Sequence, residues 1–179
     1  LEAGSYLLSD DEIAMLTVVR ENFKKVVLLL NVGNIIDMTD INRIAPDSVL
    51  YVWQGGMTGG KGTADVLTGK VSPSGKLPDT IAHKASDYPS DANFGREKNR
   101  DIYAEDIYVG YRYFETFAKD KVLYPFGFGL SYTEFEIKTE KAEITEGAVK
   151  LSVSVKNIGS YKGKEVIEVY CEAPQGRLG

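Results

Sequence analysis

The stretch Val26-Val27-Leu28-Leu29-Leu30-Asn31-Val32 runs without polar alternation. A strand of this kind has no solvent face, so it needs cover on both sides. That predicts a parallel sheet inside an α/β layer. Ser48 to Trp53 repeats the pattern, and residues 38–44 supply a short helix between the two strands. Upstream, Ser9-Asp10-Asp11-Glu12 fits a capping box. Ile13, Leu16, Val19 and Phe23 then recur at helical spacing, which predicts an amphipathic helix over 10–24. Thr63 to Thr68 reads as a helix closed by Gly69. Pro73-Ser74-Gly75 is a turn, and Leu77 to Ala82 is a further short strand. Strand and helix alternate through residue 82, the mark of α/β architecture.

After Ser131 the period changes. Val149, Leu151, Val153 and Val155 alternate with Lys150, Ser152, Ser154 and Lys156, the pattern of a half-buried antiparallel strand. Ile167, Val169 and Cys171 predict one face of another strand, with Glu168 and Tyr170 on the other. This segment reads as the opening strands of an all-β sandwich, with Cys171 packed inside it. Between the halves, residues 83–104 are polar and irregular. Tyr103 to Phe117 is rich in aromatics, and Tyr124 to Leu130 sets rings between glycines, neither helix nor strand. The organisation expected is 1–102 as the α/β part, 103–130 as a connector and 131–179 as the β part.

Charge and composition exclude several classes. Hydrophobic residues make up 43% of the 179, so a wholly disordered chain is excluded. The net charge of −5 lacks the cationic footprint of a nucleic-acid surface. One cysteine rules out an intrachain disulfide and a cysteine-only metal site. No apolar run approaches the roughly 20 residues that span a bilayer, and no signal peptide is visible. The expectation is a soluble protein with no membrane partner. The cytoplasm is the preferred compartment, with export left open. Both ends, Leu1 and Gly179, read as cuts in a longer chain.

Four groups of residues invite a chemical reading. Gly55-Gly56-Met57-Thr58-Gly59-Gly60-Lys61-Gly62-Thr63 lies between a strand and a helix, where a phosphate loop would sit. Gly62 stands where such a loop needs Ser or Thr, so a tight glycine turn is the plainer expectation. Glu105 and Asp106 are carboxylates in an aromatic setting, but neighbours on an extended chain point apart. They cannot form the facing pair that glycoside hydrolysis uses, and an ion pair with Arg112 or a lysine is the competing role. His83, the lone histidine, has no serine and acid partner around it in sequence. Trp53, Tyr103, Tyr108, Tyr111 and Tyr113 could stack on a sugar ring, although burial is the commoner fate of such residues. No cofactor and no metal is expected.

The order of segments carries more than any one of them. Tyr51-Val52-Trp53-Gln54-Gly55-Gly56, Ala64-Asp65-Val66-Leu67-Thr68-Gly69 and Pro73-Ser74-Gly75-Lys76-Leu77-Pro78 come first. Glu105-Asp106-Ile107-Tyr108-Val109-Gly110-Tyr111-Arg112-Tyr113-Phe114 and Tyr124-Pro125-Phe126-Gly127-Phe128-Gly129-Leu130-Ser131-Tyr132-Thr133 follow. This series resembles glycoside hydrolase family 3, the β-glucosidase family, along nearly the whole chain.

The resemblance implies a partial three-layer α/β sandwich followed by the first strands of a fibronectin type III-like sandwich. It implies a retaining mechanism on terminal β-glucosides, with an aspartate nucleophile on a barrel domain and a glutamate acid/base. Both are expected outside this chain, so no catalytic residue is assigned, Glu105 included. The fragment is then scaffold, inactive by itself, whose partners are the barrel of the same polypeptide and its carbohydrate. Ala173 to Leu178 is similar to bacterial members in which the sandwich precedes the barrel. Met57-Thr58 and Lys61 depart from the family's usual polar pair and asparagine. The competing readings are a non-catalytic carbohydrate-binding or adhesion module and a nucleotide-binding domain using residues 55–63.

Overall fold

The computed structural model describes residues 5–97, 99–100 and 102–172. The segment Ala173 to Leu178 lies outside them. The chain divides into two units. The first holds the described residues of Leu1–Ala64 and Leu77–Phe128, and the second those of Asp65–Lys76 and Gly129–Gly179.

The first unit opens with α1, Asp10–Asn22. Its capping box forms as the residue types require: the Glu12 amide donates to Ser9 Oγ, and the Ser9 amide donates to Glu12 Oε2. These bonds to Ser9, the backbone one first, hold the Glu12 carboxyl below its usual range. Leu16 is buried, but Phe23 falls at the C-cap and is exposed, so the apolar face ends one turn early.

Strand β1 (Val27–Leu30) pairs in parallel with β2 (Ser48–Tyr51), with α2 (Thr39–Ile44) between them in sequence. Leu30 joins Ile36, Met38, Ile41 and Ile81 in the main core, which Leu28, Val49 and Tyr51 flank. The opposite face differs from expectation. Val27 and Leu29 are exposed, so β1 is covered on one side only. The apolar run encodes two faces to cover, and the described residues supply one layer.

At the start of this sheet Asp47 gathers three donors. Arg20 Nη1 lies 3.1 Å away and Lys25 Nζ 2.9 Å, and the Val26 amide donates at 2.9 Å. The hydrogen bond from Lys25, then that from Val26, holds its carboxyl down to about 2.

The strand predicted over 77–82 shrinks to β3, Ile81–Ala82. Its antiparallel partner is β4, Val122–Tyr124, which lies inside the expected connector and takes Tyr124, the first residue of the stretch expected to be neither helix nor strand. Helix α4, Tyr111–Phe117, buries Phe114 against Ala82, Ala118 and Tyr88. The Tyr88 hydroxyl accepts from the Ala82 amide and donates to the Thr80 carbonyl, so it pins the strand from both sides. Tyr6 donates to that same hydroxyl at 3.4 Å, and burial raises its own pKa.

The second unit is built on a hairpin of β5 (Phe135–Thr145) and β6 (Ala148–Asn157). Glu146 and Gly147 turn the chain, and Gly147 has φ +78°. The register jumps at Glu140, which has no partner while Thr139 faces Val153 and Lys141 faces Ser152. This bulge re-phases β5. Ile137, Ala142 and Ile144 all face the apolar residues Val155, Leu151 and Val149. Glu136 and Glu143 face Lys156 and Lys150 on the polar side.

The strand predicted around Ile167, Val169 and Cys171 is not formed. Residues 161–172 join no ladder among the described residues, and Cys171 is exposed rather than packed. The alternation is there, but a strand also requires a neighbour for its N–H and C=O groups. The described hairpin offers none to this segment.

Candidate functional site

The glycine-rich segment is no open loop. Residues Gly56–Thr58 form a 3-10 turn, and α3 runs Gly59–Leu67. The helix therefore begins four residues earlier than the sequence predicts, with Gly60, Lys61 and Gly62 inside it. A β-carbon on Gly55 would stand 2.7 Å from the Gly59 Cα, which explains that glycine by backbone approach. The Met57 side chain is fully exposed. The tight-turn expectation fits this geometry.

Just before it, Trp53 has φ +52°, a sparsely populated conformation for a bulky residue. Its ring packs on Tyr51 with centroids 4.9 Å apart. Trp53 thus leaves the carboxyl end of β2 on a sharp bend, and the strand stops at Tyr51 rather than Trp53. Gln54 then folds back over the β1 loop: a β-carbon on Gly33 would lie 3.0 Å from its Nε2.

Glu105 and Asp106 occupy a turn in which the Tyr108 amide donates to the Glu105 carbonyl. Asp106 has φ +50°. Neither carboxylate is ion-paired with Arg112 or a lysine among the described residues, so the pairing expected for them is not made. His83 is exposed. Its backbone works instead: its amide donates to the Lys121 carbonyl, and its carbonyl accepts from Thr39 Oγ1.

The tyrosines split. Tyr103 is 90% exposed. Tyr108 packs on Phe117, Tyr111 on Phe126, and Tyr113 on Phe114 and Phe117. These are half-buried rings of the α4 packing, continuous with Phe114 and Tyr88. Among the described residues no group of three or more His, Cys, Asp or Glu could hold a metal ion. No described helix is long and apolar enough to cross a membrane.

What the structure does bring together are the segments of the collinear series. In the first unit the Leu77 amide donates to the Phe128 carbonyl, and the Gly127 amide returns to the Leu77 carbonyl. In the second unit Lys76 Nζ donates to the Gly129 carbonyl at 2.8 Å, and the Tyr132 hydroxyl donates to the Val66 carbonyl at 3.0 Å. Sequence reading missed a further partner: Lys76 also pairs with Glu165 at 2.9 Å. The signal for it was a lysine between turn residues and a glutamate opening an apolar run, too weak to read without coordinates. Within each unit these motif segments therefore hold one another in place.

A model of the glycosyl hydrolase family 3 C-terminal domain matches residues 2–132. The chain belongs to glycosyl hydrolase family 3. Its fold is that of this domain, with mixed sheets and helices. Among its family 3 relatives, it is 64% identical to a beta-glucosidase of Ruminococcus albus over 178 residues. That match takes in 99% of this chain and 19% of the relative. Beta-glucosidase A of Butyrivibrio fibrisolvens is 46% identical over 194 residues, covering 98% of this chain and 23% of its own length. The crystal structure of a beta-glucosidase from Paenibacillus barengoltzii superposes with a TM-score of 0.93 at 53% identity, over 99% of this chain and 20% of that one. Beta-glucosidase 3B from Thermotoga neapolitana, in complex with alpha-D-glucose, superposes at 0.79 with 39% identity over 88% of this chain and 23% of that one. This family 3 chain spans about a fifth of the length of the relatives it matches.

Proposed function

We propose that this chain is scaffold within a retaining β-glucosidase that hydrolyses terminal β-D-glucosides. The observation that carries the reading is the 64% identity to a beta-glucosidase across 99% of the chain. The family reaction requires two carboxyl groups across the scissile bond, about 5–5.5 Å apart in retaining enzymes. Glu105 and Asp106, adjacent on one turn, do not supply that arrangement. The nucleophile and the acid/base are assigned to other parts of the polypeptide, on a barrel domain and in the sandwich segment before α1. This chain contributes the later half of an α/β sandwich (1–102), a connector (103–130) and the first strands of a fibronectin type III-like domain (131–179).

The exposed face of β1 supports this assignment, because a sandwich layer needs cover on both sides. The re-phased apolar face of the β5–β6 hairpin supports the fibronectin-like part in the same way.

Reading the coding sequence outward from both ends tests the proposal. It expects a glutamate shortly before Leu1 and a barrel bearing an aspartate in the same frame. A start codon at Leu1 with a stop after Gly179 would overturn it and favour a non-catalytic carbohydrate-binding module.

A further inference from the structure

Residues 157–165 cross the second unit as a strap fastened at several points. Thr133, nearly buried, lies beneath it. A β-carbon on Gly159 would collide with Thr133 Oγ1, and one on Gly163 would lie 2.8 Å from Thr133 Cγ2. Thr133 Oγ1 donates to Asn157 Oδ1 at 2.8 Å, and that oxygen also accepts from the Gly159 amide. Asn157 Nδ2 donates to the Tyr161 carbonyl, and the Ile158 amide to the Glu134 carbonyl. The far end is held by Lys76. Its Nζ bonds the Gly129 carbonyl and Glu165 Oε1, and the two side chains are only 18% and 15% exposed. Glu165 Oε1 also accepts from the Val166 amide at 2.9 Å.

We infer that Lys76 is a register pin for residues 157–172. Glu165 is the one carboxylate close enough in sequence to serve it: a slip of one residue sets Lys164 or Val166 against Lys76, and the next acid is Glu168. A one-residue slip also moves every later side chain of the segment by one position along the chain. The residues at stake are Val166 to Cys171, which follow the strap directly. A largely desolvated ion pair adds little net stability, but leaving one partner uncompensated is costly. The pair therefore discriminates between registers more than it holds the fold together. Lys76 positions the segment and touches no substrate in this assignment.

Cys171, the chain's only cysteine and exposed, is a ready site for a nitroxide label beyond the pin. Its electron paramagnetic resonance line shape reads the freedom of the segment. The chain as it stands is expected to give one component. Lys76→Met is expected to add a second, faster component at unchanged far-ultraviolet circular dichroism. Glu165→Gln leaves the bond to Gly129 in place, tests the pair alone and serves if Lys76→Met does not fold. It too is expected to show the added component. The paired replacement Lys76→Met with Glu165→Met separates pinning from mere stabilisation: it should recover the melting temperature and still show two components. One component in both single variants, or a return to one component in the paired apolar variant, would overturn the inference.

Discussion

Gly129 lies so close to the Gly75 carbonyl that a β-carbon at Gly129 would collide with its oxygen. The Lys76 side chain stands over the same glycine, with its Cδ 3.0 Å from that β-carbon position. Backbone on one side and a pinned lysine on the other leave the site no room to relax. Gly129→Ala is therefore expected to destabilise the chain by about 1–3 kcal/mol, the usual range for overpacking. Gly75→Ala, where nothing lies within 4 Å, is expected to be tolerated. Urea melts of the two variants check the contrast, and equal midpoints would contradict the close approach.

Phe114 carries the second core cluster. It is 1% exposed and packs edge-on against Tyr88 at 5.5 Å. Phe114→Ala is expected to cost about 3–5 kcal/mol, the range for emptying a buried aromatic site. Phe117→Ala, on the exposed side of the same helix, is expected to cost well under half of that. Chemical denaturation of both variants measures the difference.

The acid limb of stability should run through Asp47. Its carboxyl is held below the ordinary value of 3.8, down to about 2. A depressed carboxylate contributes fully above its unfolded pKa, and the contribution is lost as pH falls through the folded pKa. The window is therefore about pH 4 down to about pH 2. Asp47→Asn is expected to lower the melting temperature at pH 6 and to leave it unchanged near pH 2. Salt should shrink the difference at pH 6, because Arg20 and Lys25 are accessible to screening. A difference independent of pH would contradict the ion-pair account.

The hairpin face should make the isolated chain associate. Ile144 is 87% exposed, and Val149, Val155 and Ile137 stay open beside it. An uncovered apolar face with unpaired strand edges promotes association. Light scattering is expected to show species larger than a monomer, and Ile144→Lys with Val149→Lys to reduce them. A monodisperse unsubstituted monomer would contradict this expectation.

How much of this was legible in the residues varies with the range of the signal. The capping box, α1, α2 and the parallel strands β1 and β2 rest on short-range patterns, and each formed within a few residues of its expected place. Strand β5 escaped because the bulge at Glu140 breaks its alternation halfway. Strand β4 is too short to show a period, and β3 keeps only the last two residues of the strand expected over 77–82. Residues Ile167 to Cys171 show the reverse failure: the period is clear, but a strand depends on a partner that no local pattern reveals. The Lys76–Glu165 pair joins positions remote in sequence and could not be read from either one. The family motifs were legible as a series, whereas the bonds around Leu77 in the first unit and around Gly129 in the second required the coordinates.

The proposed scaffold role places the acid, base and nucleophile of a β-glucosidase outside this chain. Hydrolysis of an aryl β-D-glucoside tests it most directly, run on the purified 179-residue chain and on the product of the uninterrupted reading frame that contains it. No turnover is expected from the chain, and turnover with retained anomeric configuration from the longer product. Turnover by the chain alone that disappears in Glu105→Gln, or an inactive longer product, would contradict it.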